Sequence, residues 1–328
     1  MSKVVITGIA GFIGFHTALR FKSQGWEVYG FDNFNNIIYE KELKWNRAKH
    51  LGEHDVNVDR IDLKDSFVGS SHETNIEMYI SKIKPDLVIH LAAHAGVRVS
   101  MNKGLEYINN NILGTQRLID ALENNDIKNV IYASTSCTME GNPLPWSPDE
   151  KLGPQLNPYG YSKQTNENQF KTSMIENAVC VRFFTVYGPW GRPDMALFDF
   201  TKSILADKPI TVFNNGNMKR DFTYVEDVVQ GIEIISSNMT NRDTYCIGYG
   251  KQVELMEFID HIETNLEKKA EKIMAPKHPA DALETWSDTS KLQALGYNPS
   301  TPISKGVKNF VEWYKNYYVH NNEIRNAS

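Results

Sequence analysis

The chain has 328 residues and little sulfur chemistry: three cysteines, Cys137, Cys180 and Cys246, an odd number at wide spacing, two of them inside apolar runs. Such a set builds no disulfide framework and reads as reduced thiols of a cytoplasmic protein. No apolar stretch approaches about 20 residues, so no spanning helix is expected. Met1 runs almost directly into Val4-Val5-Ile6, without the charged leader, apolar core and cleavage site of an export signal, so export by that route is not expected. Basic residues form no cluster of five or more and the net charge is only -5, which argues against nucleic acid or a membrane surface as partner. No metal is expected. There is no repeat of fixed period and no low-complexity segment. What the chain has in quantity is apolar: 41% hydrophobic residues, a globular composition, at a length that suits one large α/β domain with additions or two domains sharing a cleft.

The first half alternates strands with helical patterns. Lys3 to Thr7 reads as a buried strand, followed by Gly8-Ile9-Ala10-Gly11-Phe12-Ile13-Gly14 and a helical pattern from Phe15 to Ser23. Glycines at Gly8, Gly11 and Gly14 permit a tight turn, and backbone N–H groups along Gly11, Phe12 and Ile13 can approach a pyrophosphate at the helix N-terminus. A glycine-rich turn can also be a mere packing device. Here a second strand follows at the right distance, Glu27 to Asp32, ending in an acid, with Asn33 next to it as a further candidate contact. Asp32 can accept both ribose hydroxyls of an adenosine and would repel a 2′-phosphate, so NAD is the expected cofactor. A short strand ending in Asp62 and Leu63 could meet the adenine. The apolar run Asp86 to Ala93 reads as a central parallel strand, with Leu91, Ala92 and Ala93 letting a cofactor lie over its carboxyl edge. His94 is either a catalytic group or part of the cleft wall. A helix is expected over Tyr107 to Asn124, carrying Asn111, and a strand from Val130 ends in Ser134-Thr135-Ser136, hydroxyls that serve a substrate or cap the strand.

Tyr159 and Lys163 stand four apart at the start of a helix expected to run to about Asn177, which puts both on one face. A free phenol with a pKa near ~10 is a poor base at neutral pH, and a neighbouring ammonium favours the phenolate. The spacing alone arises easily by chance among 15 tyrosines, so its context decides its weight. Beyond a strand at Val179 to Phe184 the alternation breaks into Gly/Pro-containing connections, the look of a smaller unit closing over a ligand. Arg220 there can chelate a diphosphate, or pair with Asp221 at the surface.

Together the glycine turn, Asp32, His90-Leu91-Ala92-Ala93, Asn111-x-x-Gly114-Thr115, the Ser/Thr cluster and Tyr159-x-x-x-Lys163 resemble the extended short-chain dehydrogenase/reductase family of nucleotide-sugar epimerases and dehydratases. Gly191 to Ala196, Gly216 to Tyr224 and Glu284 to Asp288 resemble its UDP-glucuronate 4-epimerase branch, and the likeness covers Lys3 to about Tyr318. It implies an α/β fold: a Rossmann-type doubly wound parallel sheet (1–184 plus about 220–250) with a smaller mixed α/β substrate unit (185–219 plus about 251–320) and a flexible tail at 321–328. It implies Thr135, Tyr159 and Lys163 as catalytic residues, with Asn111 among the cofactor contacts. Arg98, Ser136, Cys137, Thr185, Arg192, Arg220, Lys277 and Asp281 would meet a nucleotide sugar, expected to be UDP-linked, and a homodimer would form through the helices at 107–124 and 159–177. The chain departs from the family pattern twice. Thr138-Met139-Glu140-Gly141 stands where Val-Tyr-Gly is usual, and Lys277-His278 stands where a diphosphate-binding arginine is common. A dehydratase would need an Asp-Glu pair after Thr135, and a decarboxylating relative a glutamate in place of Cys137. A 4-epimerase for neutral hexoses would differ only around C6, and a non-enzymatic dinucleotide sensor would not need Tyr159 and Lys163.

Overall fold

The computed structural model describes residues 1–65, 75–239 and 241–320; the tail expected at 321–328 lies outside them. Seven parallel strands, β1 (Lys3–Thr7), β2 (Glu27–Asp32), β3 (Val58–Arg60), β4 (Leu87–His90), β5 (Asn129–Thr135), β6 (Asn177–Phe183) and β7 (Thr244–Ile247), lie in the order β3-β2-β1-β4-β5-β6-β7. The order reverses between β1 and β4, which opens a crevice at the carboxyl ends of both, where ligands sit in such sheets. The central strands are apolar on both faces because both are covered: Val4, Val5, Ile6, Val88 and Ile89 are fully buried. One face packs on Phe12, Phe15 and Phe21 together with Val228 and Ile232, the other on Ile76, Ile80, Leu118, Leu122 and Phe170.

Three expected elements end elsewhere, and each difference positions a residue. β3 stops at Arg60, so Asp62 lies in a turn beyond the strand rather than at its end. The helix expected over 107–124 is broken: Gly104–Tyr107 is α-helical, Ile108–Leu113 is a π-helical stretch and Gly114–Glu123 is α-helical again. The widened stretch turns Asn110 and Asn111 inward, a use to which π-bulges are often put at functional sites. A Cβ on Gly114 would stand 2.9 Å from the Leu63 side chain, so glycine there allows the close approach. The helix bearing Tyr159 is Pro158–Thr172, shorter than expected, with Pro158 in its first turn and the Asn157 side chain accepting the Gly160 N–H at 2.9 Å.

The remaining elements build a second, aromatic core. Tyr187, Phe198, Phe222, Tyr224, Phe258 and Phe310 are buried together, with Phe222 and Phe258 stacked at 4.1 Å between centroids. Two-stranded ladders cross it: Thr185–Tyr187 with Phe222–Tyr224, Ile210–Phe213 with Lys272–Ala275, and Lys219–Arg220 with Val253–Glu254. This core closes over the carboxyl edge of the sheet, and the cavities lie beneath it.

Candidate functional site

The first cavity, about 240 Å³, sits in the crevice and is lined by Gly8, Gly11, Phe12, Ile13 and Gly14 from the turn after β1. Gly8 has φ +69°, and a Cβ there would stand 2.8 Å from the backbone of Ala92, so the turn and the end of β4 touch only because both are small. Asp32, buried, accepts the Phe34 N–H at 2.8 Å and faces the cavity, joined by Asn33, Leu63, Leu91, Ala92 and Ala93. Two expected contacts are placed differently. Asp62 does not line the cavity; its carboxylate accepts the Asn33 side-chain amide at 3.1 Å and the Lys64 N–H at 2.9 Å, so it orders Asn33. Asn111 is fully buried behind the wall, accepting from the His94 N–H and donating to the His94 carbonyl and to Ser162 Oγ, while its neighbour Asn110 lines the cavity instead. Asn111 latches the His94 backbone from both sides and holds the residue in the cavity wall. Its ring is 2% exposed and packs edge-on against Tyr107 at 5.8 Å, and burial holds it down to about 4, neutral.

Thr135, at the end of β5, and Tyr159, in the first turn of its helix, both line this cavity and a second, larger one, and so mark where the two meet. Burial, with the Cys137 thiol next in weight, pushes the Tyr159 phenol up to about 12, opposed by the Thr135 hydroxyl and the Arg192 charge. Lys163 is 2% exposed and lines the first cavity, and burial brings its ammonium down to about 8. It donates to Asn166 Oδ1 at 3.0 Å. One helical turn puts both on the same face; in this arrangement the Lys163 ammonium reaches Asn166, and Arg192 is a cation whose charge opposes burial at the phenol. The hydroxyl cluster also divides. Ser134 donates to buried Glu167 at 2.6 Å, and Glu167 is paired with buried Arg182 at 3.0 Å; Ser136 lines the larger cavity. Ser134 is thus structural, and Glu167 ties the helix of Tyr159 to β5 through Ser134 and to β6 through Arg182.

The larger cavity, about 520 Å³, is rimmed by arginines that already have partners. Arg98 pairs with Asp281 at 2.6 Å and lies 4.0 Å over the Phe213 ring. Arg192 pairs with Asp194 at 2.5 Å and borders both cavities. Arg220 donates to the carbonyls of Lys219, Leu283 and Ala282. Asp221 is no partner for it: it stands between the two short strands, fully buried, and accepts from Ser287, Tyr249 and Gly250. Ser136, Cys137 and Thr185 line the wall nearest Thr135. Lys277 is exposed and lies outside this lining, and His278 Nδ1 accepts the Ala280 N–H at 3.2 Å, so the charge at that corner is carried by Arg98.

Glu140 and Lys44, which were not among the expected site residues, line these cavities, and Arg47 stands behind one of them. Glu140 lines the larger one; its carboxyl is raised by burial, with Arg220 and Lys277 opposing. Its backbone is fixed, since Gly153 packs so closely on the Glu140 carbonyl that no Cβ fits there. Lys44 lines the nucleotide cavity, 3.7 Å from Asp32. Arg47, fully buried one turn further on, donates to the carbonyls of Ala10 and Trp190 and ties the glycine turn to the second core.

Residues 4–248 match the NAD dependent epimerase/dehydratase family. This chain belongs to that family. Among the relatives of this epimerase-family chain are Protein CapI of Staphylococcus aureus, 37% identical over 96% of this chain and 99% of that protein, and UDP-glucuronate 4-epimerase of Thermodesulfobacterium geofontis, 35% identical over 96% and 97%. The structure of UDP-glucuronic acid 4-epimerase from Bacillus cereus in complex with UDP-glucuronic acid and NAD superposes with a TM-score of 0.86 at 32% identity, over 96% of this chain and 100% of that one. No helix among the described residues is long and apolar enough to cross a membrane, and no group of three or more His, Cys, Asp or Glu among them could hold a metal ion.

Proposed function

We propose that this chain is a 4-epimerase interconverting UDP-glucuronate and UDP-galacturonate, with NAD resident in the smaller cavity. The observation that carries this reading is the position of Thr135 and Tyr159 at the junction of a glycine-cradled nucleotide cavity and an arginine-rimmed cavity of sugar size. The residues present fit the dinucleotide. A turn too tight for any Cβ at Gly8, an acid at Asp32 and a buried ammonium at Lys163 suit in turn its pyrophosphate, its adenosine ribose and its nicotinamide ribose. When bound, it supplies the hydride acceptor and donor at C4 of the sugar.

Tyr159, as phenolate, removes the proton of the 4-hydroxyl as a 4-keto sugar forms and returns it as the epimer forms. Thr135 hydrogen-bonds the developing 4-oxygen, and the Arg192 charge favours the phenolate against the burial that opposes it. Arg220 and Arg98 hold the diphosphate, the second exchanging Asp281 for phosphate as substrate enters. Ser136 and Thr185 hold the sugar carboxylate out of line with the 4-ketone, which keeps a β-keto acid from losing carbon dioxide. Relatives named UDP-glucuronate 4-epimerase, similar across nearly the whole chain, support the choice of sugar. One observation favours a second reading: Cys137 and Glu140 on the same wall are poor partners for a carboxylate, which favours a neutral hexose in the same machinery. We further infer a homodimer, supported by exposed Leu105, Ile108 and Leu113 along residues 104–123, a cytoplasmic location, suited to the free thiols, and the division of the chain into nucleotide and sugar units set out above.

The test is incubation with UDP-glucuronate, without added cofactor, followed by NMR of the products. UDP-galacturonate with almost no pentose is expected. Turnover of UDP-glucose in preference would establish the second reading, and release of mainly carbon dioxide would overturn epimerisation.

A further inference from the structure

The chain turns sharply after Tyr187 before it delivers Arg192 to the junction of the two cavities. The Gly191 N–H donates to the Gly188 carbonyl at 3.1 Å, and Trp190 takes φ +60°, a conformation a tryptophan keeps only where its surroundings impose it. Those surroundings come from the first two helices of the chain, whose side chains take three successive carbonyls of the turn. His16 Nε2, on the helix Phe12–Ser23, donates to Pro189 at 2.9 Å. Arg47, on the helix Glu42–Gly52, donates from Nη2 to Trp190 and, at 3.4 Å, to Gly191. Its Nη1 donates to the Ala10 carbonyl of the glycine turn at 3.0 Å and to the Tyr39 hydroxyl at 2.9 Å. Arg47 is fully buried and lines neither cavity. A guanidinium at that depth, answered by carbonyls and a hydroxyl, is costly to bury. What it adds over a neutral side chain is a planar fork that reaches three segments at once: the glycine turn, Tyr39, and the turn before Arg192.

Arg192 follows directly in the chain. Its guanidinium packs beside Gly96, where a Cβ would stand 3.4 Å away, pairs with Asp194, and lies within electrostatic reach of Tyr39 and Tyr159. The other titratable or charged groups around Tyr159 are the Cys137 thiol, the Tyr107 phenol, its ring centre 6.3 Å away, and Lys163 one turn on. Of all these, only Arg192 is continuous in the chain with what Arg47 holds. We propose that Arg47 is a positioning residue for the reaction: by holding the carbonyls of Trp190 and Gly191 against the glycine turn, it sets Arg192 at the junction, where its charge bears on Tyr159. The inference rests on the epimerase reading, with Tyr159 as the base.

The acid limb of kcat against pH with UDP-glucuronate is measured for wild type, Arg47→Gln, Arg47→Lys, Arg192→Gln and the variant carrying both glutamines, and hydrogen exchange is followed over residues 188–196. Loss of a cation that favours the phenolate moves that limb to higher pH. Arg192→Gln should move it by about one unit, the lower end for a lost opposite charge. Arg47→Gln should move it at least about half as far, with no further movement in the double variant, and should speed exchange over 188–196. Arg47→Lys separates geometry from charge: an ammonium keeps the charge but cannot span three segments, so its limb should shift as well. A limb like that of wild type in Arg47→Lys, beside a shifted one in Arg47→Gln, would mean that Arg47 acts by its own charge and overturns the positioning role. An unmoved limb in both overturns it too, whatever their melting temperatures, since a residue that only supports the fold leaves the titration of the base where it was. Should Arg47→Gln not fold, the limb and exchange of Arg47→Lys decide alone. Wild type that turns over neither UDP-glucuronate nor UDP-glucose overturns the epimerase reading instead; exchange over 188–196 then decides the hold on the turn, faster exchange in the Arg47 variants upholding it and an unchanged rate refuting it.

Discussion

The two cavities meet at Tyr159 but are made in different ways. The smaller cavity is largely backbone: the turn from Gly8 to Gly11 with the first turn of the helix Phe12–Ser23, the carboxyl ends of β1, β2 and β4, and small side chains that let them touch. The larger cavity is side chains from widely separated segments, around 98, 136–140, 192–199, 211–220 and 280–285, whose arginines are already paired with acids or backbone carbonyls. The contrast teaches where each kind of binding gets its strength. A backbone cradle is fixed on folding and costs nothing to rearrange, so what enters it is decided by shape and by one or two charges. An arginine already paired must exchange its partner for the ligand, so its net contribution is the difference between two ion pairs and is small for each.

That contrast breaks most visibly at the junction. Tyr159→Phe should cut turnover about 100-fold or more, the usual size for a lost general base, while dinucleotide retention stays as in wild type. Tyr161→Phe, two residues on, should be mild. Steady-state rates with acid-released dinucleotide counted alongside check this, and equal loss in the two variants would contradict the roles drawn from the helix Pro158–Thr172.

Within the cradle itself, Gly8→Ala sets a Cβ 2.8 Å from the Ala92 backbone at a φ of +69°. The strain should cost about 1–3 kcal/mol of stability and reduce dinucleotide retention, read as a lower melting temperature and less nucleotide per chain after desalting. A variant that melts and retains nucleotide like wild type would show that the turn has more room than its geometry indicates.

The difference between the cavities is also the difference in what the sequence showed. The cradle was legible because its parts are adjacent in the chain and their spacing is their geometry: Gly8 to Gly14, Asp32 at the end of β2, and Ala92-Ala93 after β4. Thr135, Tyr159 and Lys163, grouped in the sequence by a resemblance, all line one cavity. Where a residue's role depends on what a distant segment places beside it, the reading went astray. Lys277 looked like the cation at the diphosphate corner by position, but the ladder of Lys272–Ala275 with Ile210–Phe213 leaves it exposed, and Arg98 arrives over Phe213 from elsewhere. Asn111 looked like a cofactor contact, but the π-helical stretch that turns Asn110 into the cavity has no local signature. Lys44 and Arg47 sit in a helix of polar composition and are buried only because the second core closes on them.

Acid should weaken the cradle through its histidines. His90 is held between Thr7 and Thr115 at 2.8 and 3.0 Å, and burial brings it down to about 3; burial likewise brings His16 and His94 to about 4. A depressed folded value means the unfolded chain binds the proton first. The stability these rings contribute is complete above their ordinary value of about 6.5 and is lost as pH falls toward 4 and then 3, at about 1.4 kcal/mol per unit for each. Melting temperatures should therefore drop between pH 6.5 and 4. His90→Gln, which keeps hydrogen-bonding groups but cannot titrate, should show a shallower drop, and an identical pH profile would place the acid sensitivity elsewhere.

The smallest effects should fall on the corner where sequence and structure disagree. The Arg98 side chain is 44% exposed and paired to Asp281, so binding a diphosphate replaces one ion pair by another in partly solvated surroundings, and Arg98→Ala should raise KM about fivefold, with kcat little changed. Lys277 has no place in the lining, acts on Glu140 only through space, and sits among exposed residues, so Lys277→Ala should move KM by less than about twofold, within the range of ordinary surface substitutions. The pair is informative because the two cations are exchangeable by position along the sequence and distinct in space. A larger KM change for Lys277→Ala than for Arg98→Ala would mean that the segment 275–282 swings inward when a nucleotide sugar binds, and that the arginine-rimmed cavity, unlike the backbone cradle, is completed by its ligand.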